Sequence, residues 1–158
     1  MSLTLAILVF AIGVVAGLRS MTAPAVVSWA IHLGWLHITS GQLALLGTTA
    51  AVVILTILAL GELVADKLPT TPSRTKPAPL IGRIGTAALC AAALAVAGGG
   101  SVDLAIALGA LGGIAGTFGG YQARHQLVSA AKLPDFAVAL AEDLVAVGGA
   151  LLIVTRFH

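Results

Sequence analysis

Apolar residues run almost unbroken through five stretches of the chain, at about 3–18, 42–66, 80–99, 104–122 and 136–155. A helix needs about 20 mostly apolar residues to cross the hydrocarbon of a bilayer. The first run is short for that purpose. The second is long enough to cross with tilt and ends in Asp66-Lys67-Leu68-Pro69. After it, residues 68–79 form a proline-rich loop in which Pro72, Pro77 and Pro79 forbid a continuous helix. Residues 21–38 carry Pro24, Trp29, His32, Trp35 and His37 among apolar neighbours. Tryptophan favours the membrane–water boundary, so this segment reads as an interfacial or re-entrant helix, with a sixth span as the alternative. The pattern predicts an all-α, polytopic helical membrane protein of about five transmembrane helices, folded as a single domain over 1–158.

Composition removes the soluble alternative. Apolar residues make up 59% and charged residues 9%, against roughly 25% charged in a water-soluble domain. A net charge of +2, with no basic patch interleaved with aromatics, gives no basis for nucleic-acid binding. The single cysteine, Cys90, lies in an alanine-rich run and can form neither an internal disulfide nor a zinc site. The start, Met1-Ser2-Leu3-Thr4, lacks the basic region of a signal peptide, so the first run reads as a retained span.

Positive charge then orients the five-span arrangement. With the N-terminus cytoplasmic, inner segments hold Lys67, Arg74, Lys76, Arg83, Arg124 and Lys132, while Arg19 and Arg156 lie outside. That asymmetry fits the positive-inside rule. It places the C-terminus of the multi-pass chain outside.

Two of the runs resemble each other. Setting 5–17 over 104–116 gives seven identities in thirteen positions: Leu5/Leu104, Ala6/Ala105, Ile7/Ile106, Ala11/Ala110, Gly13/Gly112, Ala16/Ala115 and Gly17/Gly116. The repeat-like units extend over 5–38 and 104–131. In the five-span arrangement the copies run in opposite directions, which predicts an inverted repeat of glycine-rich helices, a construction common in secondary transporters. The same glycines have a plainer role. Gly13-x-x-x-Gly17, Gly109-x-x-x-Gly113, Gly112-x-x-x-Gly116 and Gly116-x-x-x-Gly120 let helix backbones approach closely.

Ionisable groups inside apolar runs are the candidate chemistry. Glu62 and Asp66 lie four apart on one helical face, and Glu142 and Asp143 lie about two turns into the last run, with Asp135 seven before Glu142. A charge at mid-membrane costs about 2.5–3.5 kcal/mol on insertion scales, so such groups face a protein interior or a water-filled cavity. Either they bind or relay a cation or proton, or they are neutralised by Arg19 or Arg124 and lock helices together. Ser20 and Thr22 lie in the polar interruption after the first glycine-rich run. Tyr121 and Arg124 mark the corresponding place after the second, with Arg124 a counter-charge or an anion ligand and Tyr121 an interfacial anchor or part of that site. No catalytic arrangement, phosphate loop, cofactor motif or metal signature is present in the sequence.

Three pieces together, Gly17-Leu18-Arg19-Ser20-Met21-Thr22-Ala23-Pro24, Gly61-Glu62-Leu63-Val64-Ala65-Asp66-Lys67-Leu68-Pro69 with Pro72-Ser73-Arg74-Thr75, and Ala141-Glu142-Asp143, carry a family likeness. The chain resembles a small bacterial multi-pass membrane family catalogued as domain of unknown function 4126. The resemblance implies a compact helical domain in a bacterial inner membrane and brings no activity with it. The functional expectation therefore rests on the residues: a small transporter or channel for an ion or small solute. The site would comprise Glu62, Asp66, Glu142, Asp143, Arg19, Ser20, Thr22, Tyr121 and Arg124, in a homo-oligomer packed in membrane lipid. The alternative is a non-transporting lipid-binding or structural membrane subunit, and no enzymatic role is expected.

Overall fold

A computed structural model describes residues 1–66, 75–130 and 132–158. The described residues form six α-helices: α1 (Leu3–Leu18), α2 (Thr22–His32), α3 (Thr49–Ala65), α4 (Pro77–Ala97), α5 (Val102–Ser129) and α6 (Asp135–Val154). Short 3-10 turns at Gln42–Gly47 and Thr155–Phe157 complete them. Lys67, Arg74 and most of the proline-rich loop lie outside the described residues.

Local chemistry sets the helix ends. The Ser2 hydroxyl accepts from the Leu5 amide at 3.2 Å, and the Thr48 hydroxyl accepts from the Ala51 amide at 3.3 Å. Both satisfy amides that a helix start leaves unpaired. Pro77 opens α4, where a missing N–H costs nothing. Gly98-Gly99-Gly100 ends it, with Gly99 at φ +64°, a left-handed conformation that favours glycine.

The runs predicted from hydropathy map onto these helices with three adjustments. α4 starts at Pro77, inside the expected loop, because the first turn of a helix tolerates proline. The second run begins as a 3-10 turn, so α3 covers only its later part. The fourth continues past Gln122 to Ser129, because no glycine–proline break follows Tyr121. Among the described residues, three helices are long and apolar enough to cross a membrane: α4, α5 and α6 with its terminal turn. α1 and α3 are apolar but shorter.

Glycines set the central packing. A Cβ added to Gly13 would stand 2.3 Å from the Gly109 carbonyl oxygen, and one on Gly17 would stand 2.3 Å from that of Gly113. On the facing helix, a Cβ on Gly112 would meet the Phe10 oxygen at 2.3 Å and one on Gly116 the Val14 oxygen at 2.2 Å. Only glycine permits this approach. α4 closes the trio, with Ala87 and Ala91 against Gly109 and Gly113.

These contacts correct the predicted inverted repeat. Positions on α5 rise as positions on α1 rise, so the two similar helices run parallel, and Gly112 faces Gly13 in the register of the sequence match. The expectation failed because it counted α1 as an outward span followed directly by α3. Instead the chain turns back at Arg19-Ser20-Met21, and α2 descends beside α6 towards its end, where Trp35 meets His158 edge-on at 5.6 Å. α1 and α2 thus form a helical hairpin, and α3 rises again from its foot. α6 runs antiparallel to α1, with Gly149 near Val15 and Asp143 near Arg19. The N-terminus, the 98–100 turn and the C-terminus therefore share one end of the bundle. The expected placement of the termini at opposite ends is wrong, and so is the placement of Arg19 away from the carboxylates.

Candidate functional site

The tip of the α1–α2 hairpin is where charge collects. α1 ends at Gly17-Leu18, α2 begins at Thr22, and the three residues between leave carbonyls on one side and amides on the other without helical partners. Glu62, near the end of α3, meets the amides. Its carboxylate accepts from the Ser20 amide at 2.8 Å, the Ser20 hydroxyl at 2.9 Å and the Met21 amide at 2.7 Å. Arg83, one and a half turns into α4, meets the carbonyls. Its Nη1 donates to the Gly17 oxygen at 2.9 Å and the Leu18 oxygen at 2.7 Å. Each charge lies at the helix end whose partial charge opposes it. Arg83 Nη2 is 3.4 Å from Glu62 Oε1, so the two caps are also an ion pair.

Arg19 forms the other half of the cluster. Its side chain is wholly buried, which is rare for an ionised group unless it is paired. Nη1 donates to Asp66 Oδ2, and Nη2 lies 2.6 Å from Asp143 Oδ1. Asp66 Oδ2 is 4.0 Å from Arg83 Nη2, which links the two halves. Side chains from α3, α4 and α6 thus converge on one turn. Thr117 of α5 adds a buried hydroxyl that donates to the Gly113 oxygen at 2.8 Å and approaches the Gly17 oxygen at 3.2 Å.

A second, more exposed group lies one step outward. Arg124 donates to both oxygens of Asp135 at 2.9 and 2.8 Å, and its Nη1 is 3.8 Å from Glu142. These two side chains line a cavity of about 220 Å³ between α5 and α6, walled by Leu18, Gly120, Ala123, Leu127 and Val145 among others.

The sequence-based site residues therefore divide. Arg19, Ser20, Glu62, Asp66 and Asp143 meet at the hairpin tip. Thr22 is buried at the first position of α2. Glu142 and Arg124 belong to the outer group, and Tyr121, stacked on His125 at 6.3 Å, lines a further cavity of about 210 Å³ with Arg124 and Asp135. The amides of Gly119 and Gly120 lie within α5, where the helix itself uses them, and they give Arg124 no anion pocket. Gly13, Gly17, Gly109, Gly112, Gly113 and Gly116 lie in contacts within one chain, so those faces are not free for association between copies. Gly120 lines the outer cavity.

Sequence reasoning placed Arg83 among the orienting positive charges and missed its role at the hairpin tip. The signal was present: it is an arginine set between Gly82 and Gly85 in an otherwise apolar helix. Among the described residues no group of three or more histidine, cysteine, aspartate or glutamate side chains could hold a metal ion.

Residues 6–156 match the family described as domain of unknown function (DUF4126). The chain belongs to this family. No curated protein and no solved structure matches it. Membership of DUF4126 covers nearly the whole chain, including every residue of both charged groups, and assigns no role to any of them.

Proposed function

We propose that this DUF4126 protein is a small membrane transporter or channel for an ion or small solute, with the charged hairpin tip as its binding site. One observation carries the reading: a helix interruption held inside an apolar bundle, with both of its ends occupied by charged side chains. The ends of discontinuous helices form ion and substrate sites in secondary transporters, because the freed amides and carbonyls supply ligands that a regular helix lacks, and the turn between α1 and α2 frees the same groups. The side chains of Glu62, Asp66 and Asp143 are each 12–13% exposed, so the carboxylates are enclosed without being sealed. In this reading they bind or relay a cation or proton, and Arg19 and Arg83 balance their charge.

The bundle geometry also suggests an orientation. Lys76, Arg83, Arg124 and Lys132 belong to the end that carries the hairpin tip. Arg156 belongs to the other end. The positive-inside rule then makes the tip end cytoplasmic and puts both termini outside. This reverses the orientation expected for the N-terminus from sequence.

A second reading is favoured by the saturation of Glu62, which accepts three hydrogen bonds and meets an arginine. A carboxylate so held also serves as a structural lock in a lipid-binding or partner subunit. Flux into proteoliposomes separates the two. Transport predicts proton or cation movement that Asp143→Asn and Asp66→Asn abolish while the protein stays folded. The absence of any flux from a folded wild type, with variants that only melt lower, would leave the structural subunit as the better account.

A further inference from the structure

The donors that hold Glu62 describe a ligand. Two consecutive amides, a hydroxyl and a guanidinium converge on one carboxylate at the start of an 11-residue helix. Helix starts attract anions through just such unpaired amides and the helix dipole. Here the anion is supplied by the protein itself.

The same turn has polar capacity that Glu62 does not use. Arg19 Nε and Thr22 Oγ1 are buried and have no hydrogen-bond partner among the described residues. Arg19 is 0% exposed and Thr22 is 3% exposed. Thr22 follows Met21, whose amide holds Glu62, and Arg19 precedes Ser20, whose amide and hydroxyl do the same. Unsatisfied polar atoms are rare in protein interiors and call for a water, an ion or a ligand. Both belong to the residues that bracket Ser20 and Met21 in the chain.

We infer that the hairpin tip is a binding seat for small monocarboxylates and that Glu62 occupies it as a tethered occupant when no carboxylate is bound. An incoming carboxylate takes the Ser20 and Met21 amides as Glu62 swings away. The exchange leaves the local charge unchanged if Glu62 departs with a proton, so the species gained overall is the neutral acid, one carboxylate plus one proton. Among the described residues, the charged groups nearest Glu62 are Arg83 from α4, Arg19 from the turn after α1, Asp66 at the end of its own helix and Asp143 from α6, with Arg124 and Glu142 farther out. This inference names the solute for the transport reading and rests on that reading only for movement across the membrane.

Chemical rescue tests it. Glu62→Ala removes two carbons and the carboxylate oxygens, the heavy atoms of acetate. Purified Glu62→Ala in nanodiscs is titrated with acetate and propionate, with chloride and ethylammonium as controls, by calorimetry and thermal unfolding. Saturable binding of the carboxylates alone is expected. Wild type should bind them at least about tenfold more weakly, since a seat occupied by Glu62 nine-tenths of the time lowers apparent affinity by that factor. Adding Ser20→Ala should weaken acetate binding to the variant. Should Glu62→Ala fail to fold alone, folded yield is measured with acetate or ethylammonium present throughout purification, and rescue by acetate only is the expected result.

Several results would overturn the inference. They are no saturable carboxylate binding, rescue that does not distinguish acetate from chloride or ethylammonium, and wild-type affinity equal to that of the variant. Two mixed outcomes keep the proposals apart. Proton or cation flux without carboxylate binding overturns the seat and leaves the transport reading standing. Carboxylate binding without flux of any kind keeps the seat and overturns transport.

Discussion

Arg83 and Glu62 cap opposite ends of one helix break, the arginine on the Gly17 and Leu18 carbonyls and the glutamate on the Ser20 and Met21 amides, with 3.4 Å between them. The arrangement makes a three-residue turn the meeting point of four helices. It also explains why two charges are tolerated in an apolar bundle: each satisfies backbone groups that would otherwise be buried and unpaired.

Removing both of the pair should cost less than the two single losses added together. Arg83→Leu leaves Glu62 without its ion partner and takes a donor from the Gly17 and Leu18 carbonyls, of which Gly17 keeps the Thr117 hydroxyl at 3.2 Å, and breaking a buried pair in this way costs about 3–5 kcal/mol. The double variant Arg83→Leu/Glu62→Leu should be less destabilised than the sum of the singles. Denaturant unfolding in mild detergent across the four proteins of the cycle measures the coupling. Additive effects would show that the two caps act independently.

The glycine contacts make an equally sharp division. Gly13→Ala and Gly116→Ala would push a methyl group into backbone at 2.3 and 2.2 Å, where no rotamer change gives relief. Overpacking of this kind costs about 1–3 kcal/mol. Gly119→Ala, on the same helix, meets nothing within 4 Å. It should be neutral or raise stability by about 0.5–1 kcal/mol, the usual gain for alanine over glycine inside a helix. Melting temperatures of the three variants in one detergent check the contrast. Equal losses at Gly119 and Gly13 would contradict the packing.

The outer ion pair should matter far less. Asp135 is 59% exposed at its side chain, and a pair open to solvent contributes at most about 1 kcal/mol. Arg124→Gln is therefore expected to lower stability by no more than about that amount, which salt titration of the wild type should also reveal as a weak dependence. A loss comparable with that of Arg83→Leu would mean that the Glu142 contact at 3.8 Å carries more than its length suggests.

Much of this bundle was legible in the sequence because hydropathy and glycine spacing are local signals. The run at 3–18 is α1 to the residue and the 98–100 glycines mark the end of α4, whereas Pro77, read as loop, opens that helix. Direction was not legible. The sequence match between 5–17 and 104–116 has no sign: it reads the same for parallel and antiparallel copies, and only the turn at Arg19 decides between them. That turn was read as polar punctuation near an interface, since its Arg-Ser-Met-Thr composition suits a membrane boundary as well as a buried hairpin. The error then carried over to Arg19 itself, which composition placed outside and tertiary packing buries between Asp66 and Asp143. Arg83 failed for a related reason. A positive residue near the start of an apolar helix looks like an orienting charge, and nothing within its own helix reveals that the ends of α1 and α2 lie opposite.

The shared end of the two termini follows from that hairpin and can be read directly. Ser2→Cys and Thr155→Cys place thiols near the N- and C-terminal ends of the bundle, and Lys132→Cys places one at the hairpin-tip end. The native Cys90 is fully buried in α4, so it should contribute no background with an impermeant maleimide. In intact cells the first two are expected to label and Lys132→Cys to stay unlabelled until the membrane is permeabilised, as the clustering of positive charge at the tip end requires. The same pattern reversed, with only Lys132→Cys accessible, would invert the bundle in the membrane without altering its fold. Labelling of Ser2→Cys and Thr155→Cys from opposite sides has a different meaning. It would require an odd number of crossings, which α1 and α2 folded as a hairpin against parallel α1 and α5 do not allow.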